Sequence, residues 1–184
     1  MSAASRVLSL SRNRQAVRRF ADRRLPPDLL AREVECGRYA PSAREDQPWR
    51  FVVVQDAMTR HRMAKAVFQG DLVRTAPAVI VGCARVHSNV SGSGRASYPL
   101  DLASATLAMA LAAADMSLAS AWITGFREGE IRAVLGIPGD IPVVTLLALG
   151  YPDGFRPLPP RRSDEQTVAW DGWESEAGGI GEAR

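Results

Sequence analysis

The apolar positions of this chain follow two periods. Three stretches are apolar without alternation: Arg50 to Gln55 (RFVVVQ), 78–84 (AVIVGCA) and 142–149 (PVVTLLAL). Runs of that kind predict strands buried on both faces, and 119–123 reads as a fourth, short strand. Between them apolar residues recur at helical spacing. A first helix is predicted over 6–18. A second, over 27–39, opens on prolines, places Leu29, Leu30 and Val34 on one face, and is stopped by Pro41. Asp56 caps a third through about Val67. The last covers 128–135 and is stopped by Gly136 and Pro138. Strands alternating with helices predict a central sheet covered by helices on both sides.

Two segments stand out. From about Leu100 to Ser117 the chain is a long helix, rich in alanine on nearly every side. A helix apolar all round is buried all round, so it is expected at the centre of the domain or against a second subunit. The stretch 102–123 is apolar but interrupted by Ser104, Thr106, Asp115, Ser117 and Ser120. It therefore falls short of the roughly 18 uncharged apolar residues of a membrane span. Residues 87–98 (HSNVSGSGRASY) read as a Gly/Ser-rich loop. From Pro152 the chain is proline- and arginine-rich, then fades into Gly and Glu. Such an arm either wraps a partner subunit or stays disordered.

Composition narrows this picture only slightly. The 184 residues, 46% hydrophobic and 23% charged, suit one soluble domain, 1–184, with 152–184 as an extended C-terminal arm. Met1 to Leu10 is too short and polar for a secretory signal, so a cytoplasmic location is expected. Cys36 and Cys83 are in no CxxC or Cys/His cluster and are expected to be buried free thiols. His61 and His87 have no ligand-like neighbours, so no metal site is expected. The net charge of +3 comes almost wholly from arginine, Lys65 being the sole lysine. Arginine is the better fork for phosphate, so what matters is where arginines cluster.

They cluster first in Arg12-Asn13-Arg14-Gln15-Ala16-Val17-Arg18-Arg19-Phe20. Arg14 and Arg18, four apart, can face the same way and converge on a phosphate; a solvated basic face is the alternative. A second constellation, Ala40 to Phe51 (APSAREDQPWRF), is a polar loop bracketed by Pro41 and Pro48 at the mouth of a strand, where small-molecule sites lie. Trp122-Ile123-Thr124-Gly125-Phe126 ends a strand, with Gly125 permitting a flat ligand to approach the backbone. Arg161 and Arg162 offer further guanidinium groups from the arm.

In this order and spacing these motifs resemble the nitroreductase family. The family opens with an Arg-Arg-Ser-Val-Arg-x-Phe-like motif, here Arg14–Phe20, and continues with a Pro-Ser…Gln-Pro-Trp loop, here Ala40–Phe51. A Trp-Ile-Gly-x-Phe-like strand end (Trp122–Phe126), a Leu-Gly-Ile-Pro turn (Leu135–Pro138) and a Leu-Gly-Tyr-Pro ending (Leu149–Pro152) follow. A basic tail with late tryptophans closes the set: Arg161, Arg162, Trp170 and Trp173. The resemblance implies an α+β fold, a three-layer α-β-α sandwich with a mostly antiparallel or mixed sheet and subunits intertwined in a homodimer. It implies FMN at the dimer interface, with Arg14 and Arg18 on the phosphate and ribityl chain and Gln15 and Ala16 near the ring. Pro41, Ser42, Ala43 and Gln47 would reach the flavin, partly from the other subunit. Thr124 and Gly125 would lie near N5, and Arg161 and Arg162 would close on the phosphate.

No residue is then expected to act as an acid, base or nucleophile, since hydride transfer belongs to the flavin. The implied activity is ping-pong transfer of hydride from NADH or NADPH through N5 to a nitroaromatic, quinone or similar small acceptor. The alternative within the family is an oxidase or dehydrogenase of a biosynthetic substrate, reoxidised by oxygen. The loop 85–98 and the segment Phe68–Arg74 should form the mouth of the site. Two positions depart from the pattern: Ala16 stands where the family has Ser, and Glu45, followed by Asp46, where it has Asn. A Rossmann reading of Gly92 and Gly94 fails on spacing and loop length. A nucleic-acid binder finds scattered basic residues and no interleaved aromatics.

Overall fold

The computed structural model describes residues 3–14, 17, 19–85, 94–154 and 159–173. In chain order it contains α1 (Ala3–Asn13), α2 (Pro27–Arg38), β1 (Trp49–Val54), α3 (Ala57–Ala64), α4 (Gly70–Thr75), β2 (Ala78–Ala84), α5 (Tyr98–Asp115), β3 (Ala119–Ile123), α6 (Glu128–Leu135), β4 (Val143–Gly150) and α7 (Asp164–Thr167), with a 3-10 turn at Ala43–Glu45. The strands form one sheet, ordered β1-β2-β4-β3, and every neighbouring pair is antiparallel. The fold is α+β, and the sheet is the middle of three layers.

Alternation along the strands assigns the layers. Ala78, Ile80, Leu147 and Leu149 point to one face, where they pack with Leu30 of α2 and Met109, Ala110 and Ala113 of α5. Val79, Val81, Cys83, Leu146 and Ala148 point to the other, against Met63, Val73 and Ile131 of α3, α4 and α6. Both faces are covered, which is why the strand sequences read as continuous apolar runs.

α5 crosses its face of the sheet and packs against all four strands. Close approach is needed at Gly82, where a Cβ would lie 2.6 Å from Thr145 Oγ1 and 3.0 Å from Leu102 Cδ1. The one polar contact there is satisfied: the Thr106 and Thr145 hydroxyls lie 2.9 Å apart, and Thr106 donates to the Leu102 carbonyl at 2.7 Å. In this single chain α5 is not buried all round. Asp101, Leu102, Ala105, Thr106, Met109, Ala110 and Ala113 are inside, while Leu100 and Leu107 are 72% and 46% exposed. Seven residues apart, those two share a face.

Several boundaries differ from the sequence expectation. α1 ends at Asn13, not at residue 18, and α3 ends at Ala64, not at Val67. Residues 66–68 instead pair with 125–127 through a Val67–Phe126 bridge, so tertiary hydrogen bonds end the helix. α4, α7 and the 3-10 turn are too short for a periodicity argument to find. No helix among the described residues is long and apolar enough to cross a membrane.

Candidate functional site

Beyond α1 the chain crosses toward the edge of the sheet. The Arg14 N–H still donates to the Leu10 carbonyl, at 2.8 Å. Val17 and Phe20 anchor the crossing in the core, and Phe20 forms a bridge with Pro152 beside β4. This holds Arg14 and Arg19 over a cavity of about 1150 Å³ whose walls include Lys65, Phe68, Gln69 and Trp122. Its floor comes from β3, through Ser120, Ala121 and Trp122. One wall of the mouth is Phe68–Leu72 with Arg74, most of the segment expected there.

The other end of that wall is fixed by backbone pairing. The Phe68 N–H donates to the Gly125 carbonyl at 3.0 Å, and the Arg127 N–H donates to that of Ala66 at 2.8 Å. The Phe68 ring then lies on Gly125, where a Cβ would stand 2.9 Å from Cδ2. Gly125 is thus required by close approach. Phe68 itself is 76% exposed, a large apolar surface with no cover on its outer side. Thr124, next to it, is exposed.

The cavity is electropositive. Arg14, Arg19 and Lys65 form no ion pair among the described residues. Arg74 is neutralised by Asp71, whose carboxyl its hydrogen bond and charge hold below the usual range. Arg127 is bound to Glu130 and to the Lys65 carbonyl. Arg14, Arg19 and Lys65, without an ion pair among the described residues, fit a phosphate; Thr124 and Gly125 do not themselves line the cavity, but Phe68, which does, packs on Gly125. His61 and Lys65, one helical turn apart, were missed by the sequence reading, although their i, i+4 spacing puts them on one face.

The second loop is built elsewhere. Ser42, Ala43 and Gln47 are tied together by an N–H bond from Gln47 to Ser42 Oγ (3.0 Å) and one from Ala43 to Asp101 Oδ1 (2.8 Å). Arg44, Glu45 and Gln47 have φ of 56°, 55° and 47°. Each such non-glycine residue costs roughly 1–2 kcal/mol. Pro41, Ser42, Ala43 and Gln47 do not line the cavity. The loop enters β1, and Thr124 leaves β3. The registers Trp49–Ala84, Cys83–Val143 and Ile123–Leu146 put both at the same end of the sheet. They are on opposite edges, three strand spacings or about 14 Å apart.

Of the other expected residues, Gln15, Ala16 and Arg18 lie outside the described residues. So does most of the loop 85–98, from 86 to 93. Arg14 is just past the end of α1. Arg161 and Arg162 are exposed and do not line the cavity; the arm carrying them is capped locally, Ser163 and Gln166 forming a capping box on α7. Of the two cysteines, one differs from expectation. Cys83 is buried, which pushes its pKa up to about 11, but Cys36 is exposed. Burial of its sulfur and the nearby Glu33 and Glu35 nevertheless raise the Cys36 pKa, so neither is an activated thiolate.

With this geometry in place, comparison with known proteins assigns the family. The nitroreductase family model matches residues 11–73 and 68–151, and the chain belongs to that family. An NADH dehydrogenase of Thermus thermophilus is 30% identical over 170 residues, covering 76% of this chain and 83% of its own. The crystal structure of a nitroreductase family protein from Clostridium novyi superposes with a TM-score of 0.75 at 27% identity, covering 79% and 86%. An FMN-dependent nitroreductase from Clostridium difficile shares the fold, with a TM-score of 0.80 at 21% identity over 90% and 99% of the two chains.

Proposed function

We propose that the chain is an FMN-dependent oxidoreductase that takes hydride from NADH or NADPH and passes it through flavin N5 to a nitroaromatic, quinone or similar small acceptor. The observation that carries this reading is the cavity: Arg14, Arg19 and Lys65 line it without an ion pair among the described residues, and its wall residue Phe68 packs on Gly125. Arg14, with Arg18, holds the phosphate. Gln15 and Ala16 lie along the ring, and the backbone at Thr124 and Gly125 lies near N5. Bound FMN would supply the hydride chemistry; the protein's share is to hold it, exclude water from one ring face and leave the other open to donor and acceptor in turn.

The homodimer is part of the proposal. Pro41, Ser42, Ala43 and Gln47 belong to the site of a second copy, because within one chain they stand across the sheet from the cavity. The exposed apolar face of α5, with Leu100 and Leu107, and the exposed Val7 and Leu8 of α1 offer the surface for that copy. Arg161 and Arg162 would close on the phosphate from the arm, whose Trp170 and Trp173 are 83% and 90% exposed.

An absorbance spectrum of the purified protein, followed by anaerobic addition of NADH and then NADPH, tests the reading. Bands at about 370 and 450 nm that bleach on addition are expected, and the more effective nucleotide names the donor. Flavin bands that ignore both nucleotides would point instead to an oxidase reduced by its own substrate. A colourless protein that takes up no added FMN would overturn the reading.

A further inference from the structure

Among the described residues, the side chain that reaches the loop 41–47 from another element is that of Asp101. This residue is in the first turn of α5, only 5% exposed. A carboxylate is favoured there by the helix N-terminus. Its Oδ1 accepts the Ala43 N–H at 2.8 Å, from 58 residues away in the chain. Its Oδ2 is buried with no hydrogen-bond partner among the described residues. A buried carboxylate oxygen without a partner is costly, so this side chain is a poor choice for stability alone. What it does secure is the entry to a loop with positive φ at Arg44, Glu45 and Gln47. The remaining ties are local: Glu45 N–H to the Ser42 carbonyl (3.1 Å), Asp46 N–H to that of Ala43 (3.2 Å), and Gln47 N–H to Ser42 Oγ. Strained backbone persists only where its surroundings over-determine it. Among the described residues, the Asp101–Ala43 bond links the loop to those surroundings.

We propose that Asp101 is a positioning residue for the flavin: by holding the Ala43 N–H it fixes the conformation in which residues 42–47 meet the cofactor. This rests on the reading that the loop faces FMN in the assembled protein. Asp101 touches no ligand itself and acts through the backbone of Ala43.

Two variants of the full-length holoprotein test it from either side of the bond. Asp101→Ala removes the acceptor. Ala43→Pro removes the donor and leaves Asp101 in place; Ser42, with φ −136° and ψ 158°, already has the extended backbone that a following proline requires. Asp101→Asn, which keeps an oxygen acceptor, is the rescue. Amide exchange of residues 41–48 in the flavin-free protein should rise about 10–100-fold in both disruptive variants, the scale of one charge-assisted bond. The visible circular dichroism of bound FMN should change and FMN affinity should fall about tenfold or more, with Asp101→Asn close to wild type in all three.

Unchanged exchange in Asp101→Ala, or a change in Asp101→Ala that Ala43→Pro does not reproduce, overturns the proposal. So does faster exchange with flavin dichroism and affinity unchanged, which makes the bond merely structural. A wild-type protein that takes up no FMN overturns this proposal and the function together. That case is told apart because the failure is already present without the substitution.

Discussion

The two halves of the candidate site are built differently. The cavity half is assembled from residues far apart in sequence, Arg14, Val17 and Arg19, Lys65 with Phe68–Leu72, and Ser120–Trp122 of β3 at the edge of the sheet. The loop half, 41–47, is one short segment at the opposite edge, strained and tied to α5. The cavity half has Arg14, Arg19 and Lys65 with no ion pair among the described residues; the loop half contributes backbone and an acidic pair, Glu45 and Asp46. One rigid chain cannot bring the two together across about three strand spacings. A two-fold copy can, because an isologous interface brings each loop to the other's cavity. Under the proposed function the difference makes dimerisation a condition of the chemistry, and each half can be broken separately.

The largest effect should come from stripping the cavity half of charge. Arg14→Ala combined with Arg18→Ala removes charge-assisted contacts of about 1.5–3 kcal/mol each. FMN affinity should fall by about 100-fold or more, with colour lost on dialysis while the dimer persists by sedimentation. A double variant that stays yellow would show that the phosphate is held elsewhere. Next, the halves can be separated without touching either. Leu107→Arg puts a charge on the exposed face of α5. If that face is covered in the dimer, an unpaired buried charge costs about 3–5 kcal/mol. Light scattering should then report a monomer that has also lost FMN. A dimeric, yellow Leu107→Arg protein would place the interface on another surface.

A third prediction concerns what lies under the loop half. It stands on the packing of α2 against α5, and there Glu33 is fully buried with neither carboxylate oxygen hydrogen-bonded among the described residues. Burial pushes its pKa from 4.5 up to about 8. Since the folded state holds the proton more tightly than the unfolded one, stability is greatest below about 4.5 and is lost as pH rises through about 8. The pairs that support the other layer have the opposite sign. Asp71 and Glu130 are lowered by Arg74 and Arg127, and their contributions fade only in acid. The Tm of the wild type should therefore fall between pH 5 and 9. Glu33→Leu should flatten that fall and stabilise the protein by about 2–3 kcal/mol at the alkaline end. A wild-type Tm that is level over this range would mean that Glu33 has a partner in the assembled protein.

How much of this was legible in the chain differs between the halves. The strands were read to within a residue or so, because burial on both faces leaves continuous apolar runs. The loop half was legible as Pro41 to Pro48, since prolines and polar residues mark a rigid connector. Its anchor was not, because nothing local links Ala43 to Asp101. The cavity half was read as single motifs. That Phe68–Leu72 and Gly125 meet depends on a two-bond antiparallel pairing that interrupts what would otherwise continue as α3. Cys36 was misjudged because α2 shows it to solvent, a matter of one helix's rotation. Glu33 was passed over for the converse reason: a charged residue on an amphipathic helix is ordinarily outside, and only the packing of α2 on α5 turns it in.

The smallest expected effect falls on the contact between Phe68, in the cavity wall, and Gly125 beneath it. In Gly125→Ala the added methyl would stand 2.9 Å from Phe68 Cδ2, closer than carbon atoms pack. Phe68 is largely exposed, so its ring can swing outward, and the global cost should be near 1 kcal/mol rather than that of an overpacked core. The consequence should appear in function before it appears in Tm. The ring moves into the mouth of the cavity and the backbone at 125 is no longer bare, so FMN should bind more weakly and acceptor KM should rise. Gly125→Ala combined with Phe68→Ala removes the collision. Recovery of FMN affinity in the double variant would show that the glycine is needed for the approach of Phe68. Continued loss would show that it is the flavin itself that comes close to residue 125, as placement of N5 beside this strand end requires.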